Sequence, residues 1–175
     1  SGIGYHGRPQ LEIAADLLAG QCDRVYISIA AEPRKGFDGC ATRPDRFIGF
    51  GPSGGILTAL HERPDAAWMV LGCDLPLMTA DDLRQLADGR DVLRPATAFS
   101  SPSGDLPEPL VAIYEPRMLS LFHEALAMDI SCPRKVLIRS RARLVTPRHR
   151  EAVMNANTPA DRDRVSAIIR GQREE

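Results

Sequence analysis

The chain has 175 residues, a formal net charge of −1, 43 % hydrophobic residues and 26 % charged residues, which is typical of one soluble globular domain spanning 1–175. A charge this close to neutral argues against a nucleic acid partner, and no apolar stretch approaches the ~20 residues of a membrane span. The four cysteines and four histidines have neither disulfide nor zinc-site spacing. Together with the lack of a signal peptide pattern, this favours a cytoplasmic protein with reduced thiols.

Predicted helices and strands alternate along the chain. Apolar residues at helical spacing, with proline, threonine or glycine at the ends, predict helices at 9–20, around 56–60, at 79–87, 116–128 and 134–139, and from 158 onward. Short runs rich in β-branched residues predict strands at 24–30, 46–48, 67–72, 92–99, 110–114 and 143–145. Such alternation implies parallel βαβ units, so the predicted fold class is α/β, a three-layer α/β/α arrangement around a mostly parallel sheet.

The most informative segment is the apolar run 67–72, which ends abruptly at Asp74 and Pro76. A short apolar run of this kind predicts a strand buried on both faces. Asp74 then lies at the carboxyl edge of the sheet, where ligands bind in open α/β folds. A single carboxylate there can hold Mg²⁺ together with substrate phosphates. The alternative is that Asp74 only caps the next turn or helix.

Three other segments could contribute to a site at that edge. Gly51 begins a glycine-rich stretch before a helix, which can bring backbone amides close to a ligand or can be a plain tight turn. Asn155 and Asn157 offer amides to sugar hydroxyls or phosphates, or belong to a turn before a capped helix. Arg134 and Lys135 could bind phosphate or form a solvated basic turn.

The order of these segments resembles the molybdenum cofactor guanylyltransferase family, within the nucleotidyltransferases that have a nucleotide-diphospho-sugar-transferase-like, Rossmann-like fold. The resemblance runs from about residue 3 to the last helix. The matching segments are Tyr5-His6-Gly7-Arg8-Pro9, Gly51-Pro52-Ser53-Gly54-Gly55-Ile56, Gly72-Cys73-Asp74-Leu75-Pro76, Glu108-Pro109-Leu110 with Tyr114, and Asn155-Ala156-Asn157-Thr158-Pro159.

The resemblance implies a Mg²⁺-dependent transfer of GMP from GTP to the terminal phosphate of molybdopterin carrying molybdenum, with release of pyrophosphate. It implies that Asp74 is the catalytic Mg²⁺ ligand near the α-phosphate and that Gly51 lies near the nucleotide. It places Asn155 and Asn157 on the pterin-phosphate side. GTP and a molybdopterin-type small molecule are the implied partners, and proteins that mature molybdoenzymes are possible further ones.

One departure from the family pattern is large. The family opens with a strand and a glycine-rich loop carrying an arginine and a lysine, whereas only Ser1 and Gly2 precede Ile3. We therefore expect an N-terminally incomplete domain that lacks the first strand and has little or no transferase activity by itself. The strands at 24–30 and 67–72 should then face each other across an open slot or collapse into direct pairing, and we expect the slot.

Because that loop would carry much of the base selection, two alternatives stay open. One is a related cytidylyltransferase or sugar-phosphate nucleotidyltransferase. The other is a non-catalytic binding module of the same fold.

Overall fold

A computed structural model describes residues 4–5, 8–29, 41–102, 104–156, 161, 163–165 and 167–168. The strands are β1 (Gly4–Tyr5), β2 (Arg8–Pro9), β3 (Tyr26–Ile29), β4 (Ala41–Pro44), β5 (Trp68–Leu71), β6 (Ala96–Ser100), β7 (Pro107–Tyr114) and β8 (Arg143–Val145). The helices are α1 (Gln10–Ala19), α2 (Pro52–Glu62), α3 (Ala80–Asp88), α4 (Met118–Ala127) and α5 (Pro133–Arg139). None of the helices in this described part of the chain could span a lipid bilayer.

The largest sheet has the strand order β5-β7-β6-β8. Strands β5, β6 and β8 run in one direction, and β7 runs against both of its neighbours. The sheet is thus mostly parallel in strand direction, as expected, and β7 is the strand of this sheet that runs the other way. The segment between Ser100 and Pro107 is too short for a helical crossover, so β6 and β7 pair as antiparallel neighbours.

Side chains of the sheet alternate between two apolar cores, which confirms the three-layer arrangement. On β7, Ala112 and Tyr114 pack with α2, α4 and α5, whereas Val111 and Ile113 pack with α3. Partly buried Leu17 and Leu18 of α1 join the second core. Each face of the sheet is thus covered by helices, and its carboxyl-end loops remain available for a site.

The expected slot is present. Strand β3 pairs only with β4, and β5 pairs only with β7, among the strands that the structure describes. Both β3 and β5 line one cavity of about 680 Å³. Tyr26 and Trp68, the first residues of the two strands, meet across it with ring centroids 5.7 Å apart.

The apolar side chains of the slot are largely covered. Ile27 is buried, and Val25, Val70 and Leu71 are half-buried rather than exposed. Helices α1 and α2 contribute residues to the same cavity, and these helices shield the strands from the two faces. The slot is therefore a covered cavity between strand edges.

Two predicted strands are placed differently. Residues 46–48 form turns and bends, and the strand in this part of the chain is β4. Its pairing with β3 extends by one hydrogen bond, from the Asp45 amide to the Ile29 carbonyl at 2.9 Å. Residues 92–95 also turn, because the Asp91 carbonyl accepts from the Arg94 amide at 2.9 Å and the Asp91 carboxylate accepts from the Leu93 amide at 3.0 Å. Strand β6 therefore begins only at Ala96.

Candidate functional site

The segment that carries Asp74 is fixed from three sides. The Gly72 amide donates to the Leu110 carbonyl at 2.8 Å, and the Asp74 carbonyl accepts from the Ala156 amide at 2.9 Å. The Leu75 carbonyl accepts from Nε2 of Gln10 at 3.3 Å. Asp74 itself is half-buried and lines the cavity between β3 and β5. The predicted position of Asp74 at the carboxyl end of a strand is confirmed.

Gly72 explains where the Asp74 carboxylate points. A Cβ atom at position 72 would lie 2.7 Å from Oδ1 of Asp74 and 3.3 Å from Cβ of Leu110. The carboxylate thus folds back over the end of β5, and any side chain at position 72 would displace it. Glycine here leaves room for the acidic group.

A second carboxylate, Glu108, lies near Asp74 and was missing from the predicted site. In the register of β5 with β7, Leu71 is opposite Val111. The next contact is the bond from the Gly72 amide to the Leu110 carbonyl, and Asp74 and Glu108 are each two residues from this bond. The Asp74 charge and Glu108 interact electrostatically.

Glu108 is only 7 % exposed. Burial raises the pKa of its carboxyl group and the charge of Asp74 raises it further, whereas the hydrogen-bonded Arg134 guanidinium opposes these effects. The bond from Nη2 of Arg134 to Oε2 of Glu108 is 2.9 Å long. Arg134 therefore belongs to a half-buried ion pair and does not form a simple solvated basic turn.

The predicted asparagine loop is partly described. Asn155 is exposed, and the bond between the Ala156 amide and the Asp74 carbonyl places this loop against the Asp74 segment. The two loops therefore lie at the same end of the sheet, which a shared site requires. Asn157, with Thr158 and Pro159, lies outside the described residues.

The glycine-rich stretch serves close packing of α2. Gly51 precedes α2 with φ 54° and Pro52 begins the helix. A Cβ atom on Gly54 would lie 2.4 Å from the Phe47 carbonyl oxygen, and one on Gly55 would lie equally close, at 2.4 Å, to the Ser28 hydroxyl. Ser53 Oγ donates to the Ser131 carbonyl at 2.6 Å, which ties this helix start to the loop before α5.

Two more polar side chains that line the cavity were not predicted. Asp45 follows β4 and accepts a hydrogen bond from the Ser28 hydroxyl. Gln10 is 3 % exposed, and its Oε1 is a buried acceptor with no hydrogen-bond partner among the described residues. The signal for Gln10 in the sequence is weak, because a glutamine in the first turn of a helix is ordinary.

The protein side chains at this edge can bind a hard cation only together with a phosphate-bearing substrate. The described residues contain no group of three or more histidine, cysteine, aspartate or glutamate side chains arranged for a metal ion. Asp74 offers one carboxylate. Mg²⁺ is commonly bound by one or two carboxylates together with substrate phosphates, so the residues present fit that ion when a phosphate-bearing substrate completes its shell.

Relatives of this chain include proteins of molybdenum cofactor biosynthesis. A "Molybdenum cofactor biosynthesis bifunctional protein" of Synechocystis sp. is 33 % identical over 162 residues, which cover 91 % of this chain and 46 % of that protein. A "Probable molybdenum cofactor guanylyltransferase" of Methanothermobacter thermautotrophicus is 32 % identical over 124 residues, covering 63 % of this chain and 60 % of that protein. The chain thus spans about half the length of the curated relatives it matches.

Solved structures share the fold. The molybdopterin-guanine dinucleotide biosynthesis protein A of Archaeoglobus fulgidus has a TM-score of 0.72 at 19 % identity, covering 97 % of this chain and 90 % of that one. The 2-C-methyl-D-erythritol 4-phosphate cytidylyltransferase of Thermus thermophilus has a TM-score of 0.70 at 15 % identity, covering 97 % and 93 %. The sequence pattern of the MobA-like NTP transferase domain matches residues 3–162. This chain belongs to the MobA-like NTP transferase domain family.

Proposed function

We propose that this domain transfers GMP from GTP to the terminal phosphate of molybdopterin carrying molybdenum, and that pyrophosphate is released. The observation that carries the proposal is the half-buried Asp74 carboxylate at the carboxyl end of β5, facing a cavity in a MobA-like NTP transferase domain. The names of the relatives support the choice of guanylyl transfer and of a molybdenum cofactor acceptor.

Asp74 would hold Mg²⁺. When bound, the ion offsets the charge of the phosphate oxygens, which is the main requirement of phosphoryl-type transfer. The chain's own contribution is positioning. The three bonds to the 72–75 backbone hold the Asp74 segment in place, and Gly72 leaves space for its carboxylate.

The loops around Asp74 would divide the two substrates between them. Gly51 and the start of α2 would lie on the nucleotide side, and Asn155 with Asn157 on the side of the pterin phosphate. The bond between the Ala156 amide and the Asp74 carbonyl supports this arrangement, since it brings the acceptor side next to the carboxylate. Asparagine amides can both donate to phosphate oxygens and accept from hydroxyls.

The proposal places the reaction in the cytoplasm, with GTP and a molybdopterin-type molecule as substrates and molybdoenzyme maturation proteins as possible recipients of the product. The free cysteines Cys22, Cys73 and Cys132 agree with a reducing compartment.

Nucleotide choice tests the proposal on the full-length protein. Release of pyrophosphate is measured with GTP or CTP, with Mg²⁺, and with or without molybdenum cofactor. We expect release only with GTP and acceptor together. Release with CTP in place of GTP would identify the related cytidylyltransferase instead, and no release with either nucleotide would favour the non-catalytic binding module.

The asparagine assignment has a separate test in the same assay. Replacing Asn155 and Asn157 by alanine should raise the KM for the pterin acceptor more than the KM for GTP. An equal rise in both KM values would contradict the assignment to the acceptor side.

A further inference from the structure

The start of α5 carries an arginine that is held in place but keeps part of its guanidinium available. Nη2 of Arg134 donates to Oε2 of Glu108 at 2.9 Å, and Nε donates to the Pro107 carbonyl at 3.1 Å. The Arg134 side chain is 41 % exposed, whereas the Glu108 side chain is 9 % exposed. Its remaining N–H groups have no acceptor among the described residues, so they are available to an anion.

Two contacts bring this arginine to the candidate site. Glu108 is two residues from Leu110, whose carbonyl accepts a hydrogen bond from the Gly72 amide, and Asp74 is two residues from Gly72. The bond from Ser53 Oγ to the Ser131 carbonyl, 2.6 Å long, fastens the loop before α5 to the start of α2. Arg134 therefore belongs to a segment that is bonded both to the start of α2 and to the Glu108 carboxylate.

Charge explains why a cation is needed at this place. Asp74 and Glu108 are neighbouring carboxylates, and a phosphate group brought beside them would be repelled. Arg134 offsets Glu108 and presents its outer N–H groups beyond the pair. A guanidinium that is already oriented loses little side-chain freedom when it binds phosphate, and its planar donors match phosphate oxygens.

We propose that Arg134, oriented by Glu108 and the Pro107 carbonyl, binds a phosphate monoester group at the Asp74 edge. The proposal rests on the proposed function in one respect, since it assigns this group to the phosphate of the acceptor substrate. Arg134 is the binding residue, and Glu108 is a positioning residue that acts through it.

The protein offers a matched control at the opposite end of β7. Arg90 forms a similar pair with Glu115, with bonds of 2.7 and 2.9 Å and side-chain exposures of 40 % and 6 %. Removal of either arginine leaves a buried carboxylate without its partner, so both changes should lower thermal stability to a similar degree. Only Arg134 is near Asp74, so only its removal should affect phosphate binding.

The experiment measures the affinity for methyl phosphate by isothermal titration calorimetry. We expect Arg134→Gln to weaken binding about 10-fold or more, consistent with the loss of charge-assisted hydrogen bonds. The affinity of Arg134→Lys should fall between those of the wild type and Arg134→Gln, because a lysine keeps the charge but lacks the planar, paired N–H donors of arginine. Arg90→Gln should bind like the wild type despite its lower melting temperature.

Glu108 is tested by a conservative pair of variants. Glu108→Gln keeps an oxygen that can accept from Arg134 and should bind methyl phosphate within a few-fold of the wild type, whereas Glu108→Ala should bind distinctly more weakly. Wild-type protein that does not bind methyl phosphate, equal losses in Arg134→Gln and Arg90→Gln, or equal binding by the two Glu108 variants would each overturn the proposal.

Failure of the inference and failure of the proposed function give different results. In the full-length protein, GMP transfer with an unchanged KM for the acceptor in Arg134→Gln would overturn the inference alone. Methyl phosphate binding that depends on Arg134, in a protein that transfers no GMP to the pterin, would overturn the proposed function and the assignment to that acceptor, while the phosphate site itself would stand.

Discussion

Substitution of Gly54 by alanine tests whether the glycine-rich stretch exists for packing. The added Cβ atom would lie 2.4 Å from the Phe47 carbonyl oxygen and 3.5 Å from the Phe47 carbonyl carbon. The oxygen belongs to the backbone and cannot rotate away, so the start of α2 and the segment around Phe47 must separate. Overpacking of this kind typically costs about 1–3 kcal/mol.

A helical glycine replaced by alanine also gains roughly 1 kcal/mol of helix propensity. Because the clash is with a backbone atom at 2.4 Å, we take the upper end of the overpacking range, about 3 kcal/mol, and expect a net loss of about 2 kcal/mol. For a domain of this size, each kcal/mol lowers the melting temperature by about 2–4 °C. The control is Gly20→Ala, where the new Cβ atom would meet only the Leu17 carbonyl at 3.5 Å, an ordinary contact. That variant should be as stable as the wild type or slightly more stable.

The assay is thermal unfolding of both variants by circular dichroism. The packing explanation is refuted if Gly54→Ala melts at the wild-type temperature or if Gly20→Ala loses as much stability. A stable Gly54→Ala variant with weakened nucleotide binding would instead assign the glycine to close approach of a ligand.

Two further predictions concern a buried tyrosine of β7 and a histidine pair between α2 and α4. Tyr114 is fully buried, and its hydroxyl donates to the Pro109 carbonyl at 2.8 Å. Tyr114→Phe should therefore lower the free energy of unfolding by about 1–3 kcal/mol in urea titrations. A change near zero would show that this hydrogen bond does not stabilise the fold. His61 bonds to His123 through Nε2 atoms 2.9 Å apart, and its pKa is lowered below 6.5 by burial first, then by the charges of His123 and Arg46. The unfolded chain therefore takes up this proton first, so the stabilising contribution is present above about pH 6.5 and is lost as the pH falls through the lowered pKa. The melting temperature of the wild type should drop more than that of His61→Gln between about pH 7.5 and about pH 5.5, and equal drops would contradict this.

Helices were the most predictable part of this fold, because their end signals act locally. The helix predicted at 79–87 begins with a capping box, in which the Thr79 amide donates to Asp82 at 3.0 Å and the Asp82 amide donates to Thr79 at 3.2 Å. The open slot was predicted from the family resemblance, which supplied a strand order that local patterns cannot provide.

Strands with little apolar pattern were missed or misplaced. β4 has the sequence Ala-Thr-Arg-Pro and is mostly exposed or half-exposed, so no alternation marks it. Val92 and Leu93 are apolar but exposed at 56 % and 79 %, since the Asp91 turn keeps them out of the sheet. Composition alone could not show this.

The candidate site was predicted in its position and only partly in its residues. Asp74 was found because an apolar run ends in a carboxylate. Glu108 was named only within a matching segment and was given no role, because it stands in a proline-rich entry to β7. Its even spacing to Leu110, Ala112 and Tyr114 nevertheless puts these residues on one face of the strand. Its importance depends on the register with β5, which is set by long-range pairing.

The most direct measurement is Mg²⁺-dependent transfer of labelled GMP from GTP to molybdenum cofactor by the full-length protein, comparing Asp74→Asn with Asp81→Asn. Asp81 is an exposed carboxylate that pairs with Arg84 on α3, so its substitution controls for the loss of one negative charge. The account predicts that Asp74→Asn abolishes transfer with a nearly unchanged melting temperature, while Asp81→Asn remains active. Normal GMP transfer by Asp74→Asn would contradict the account.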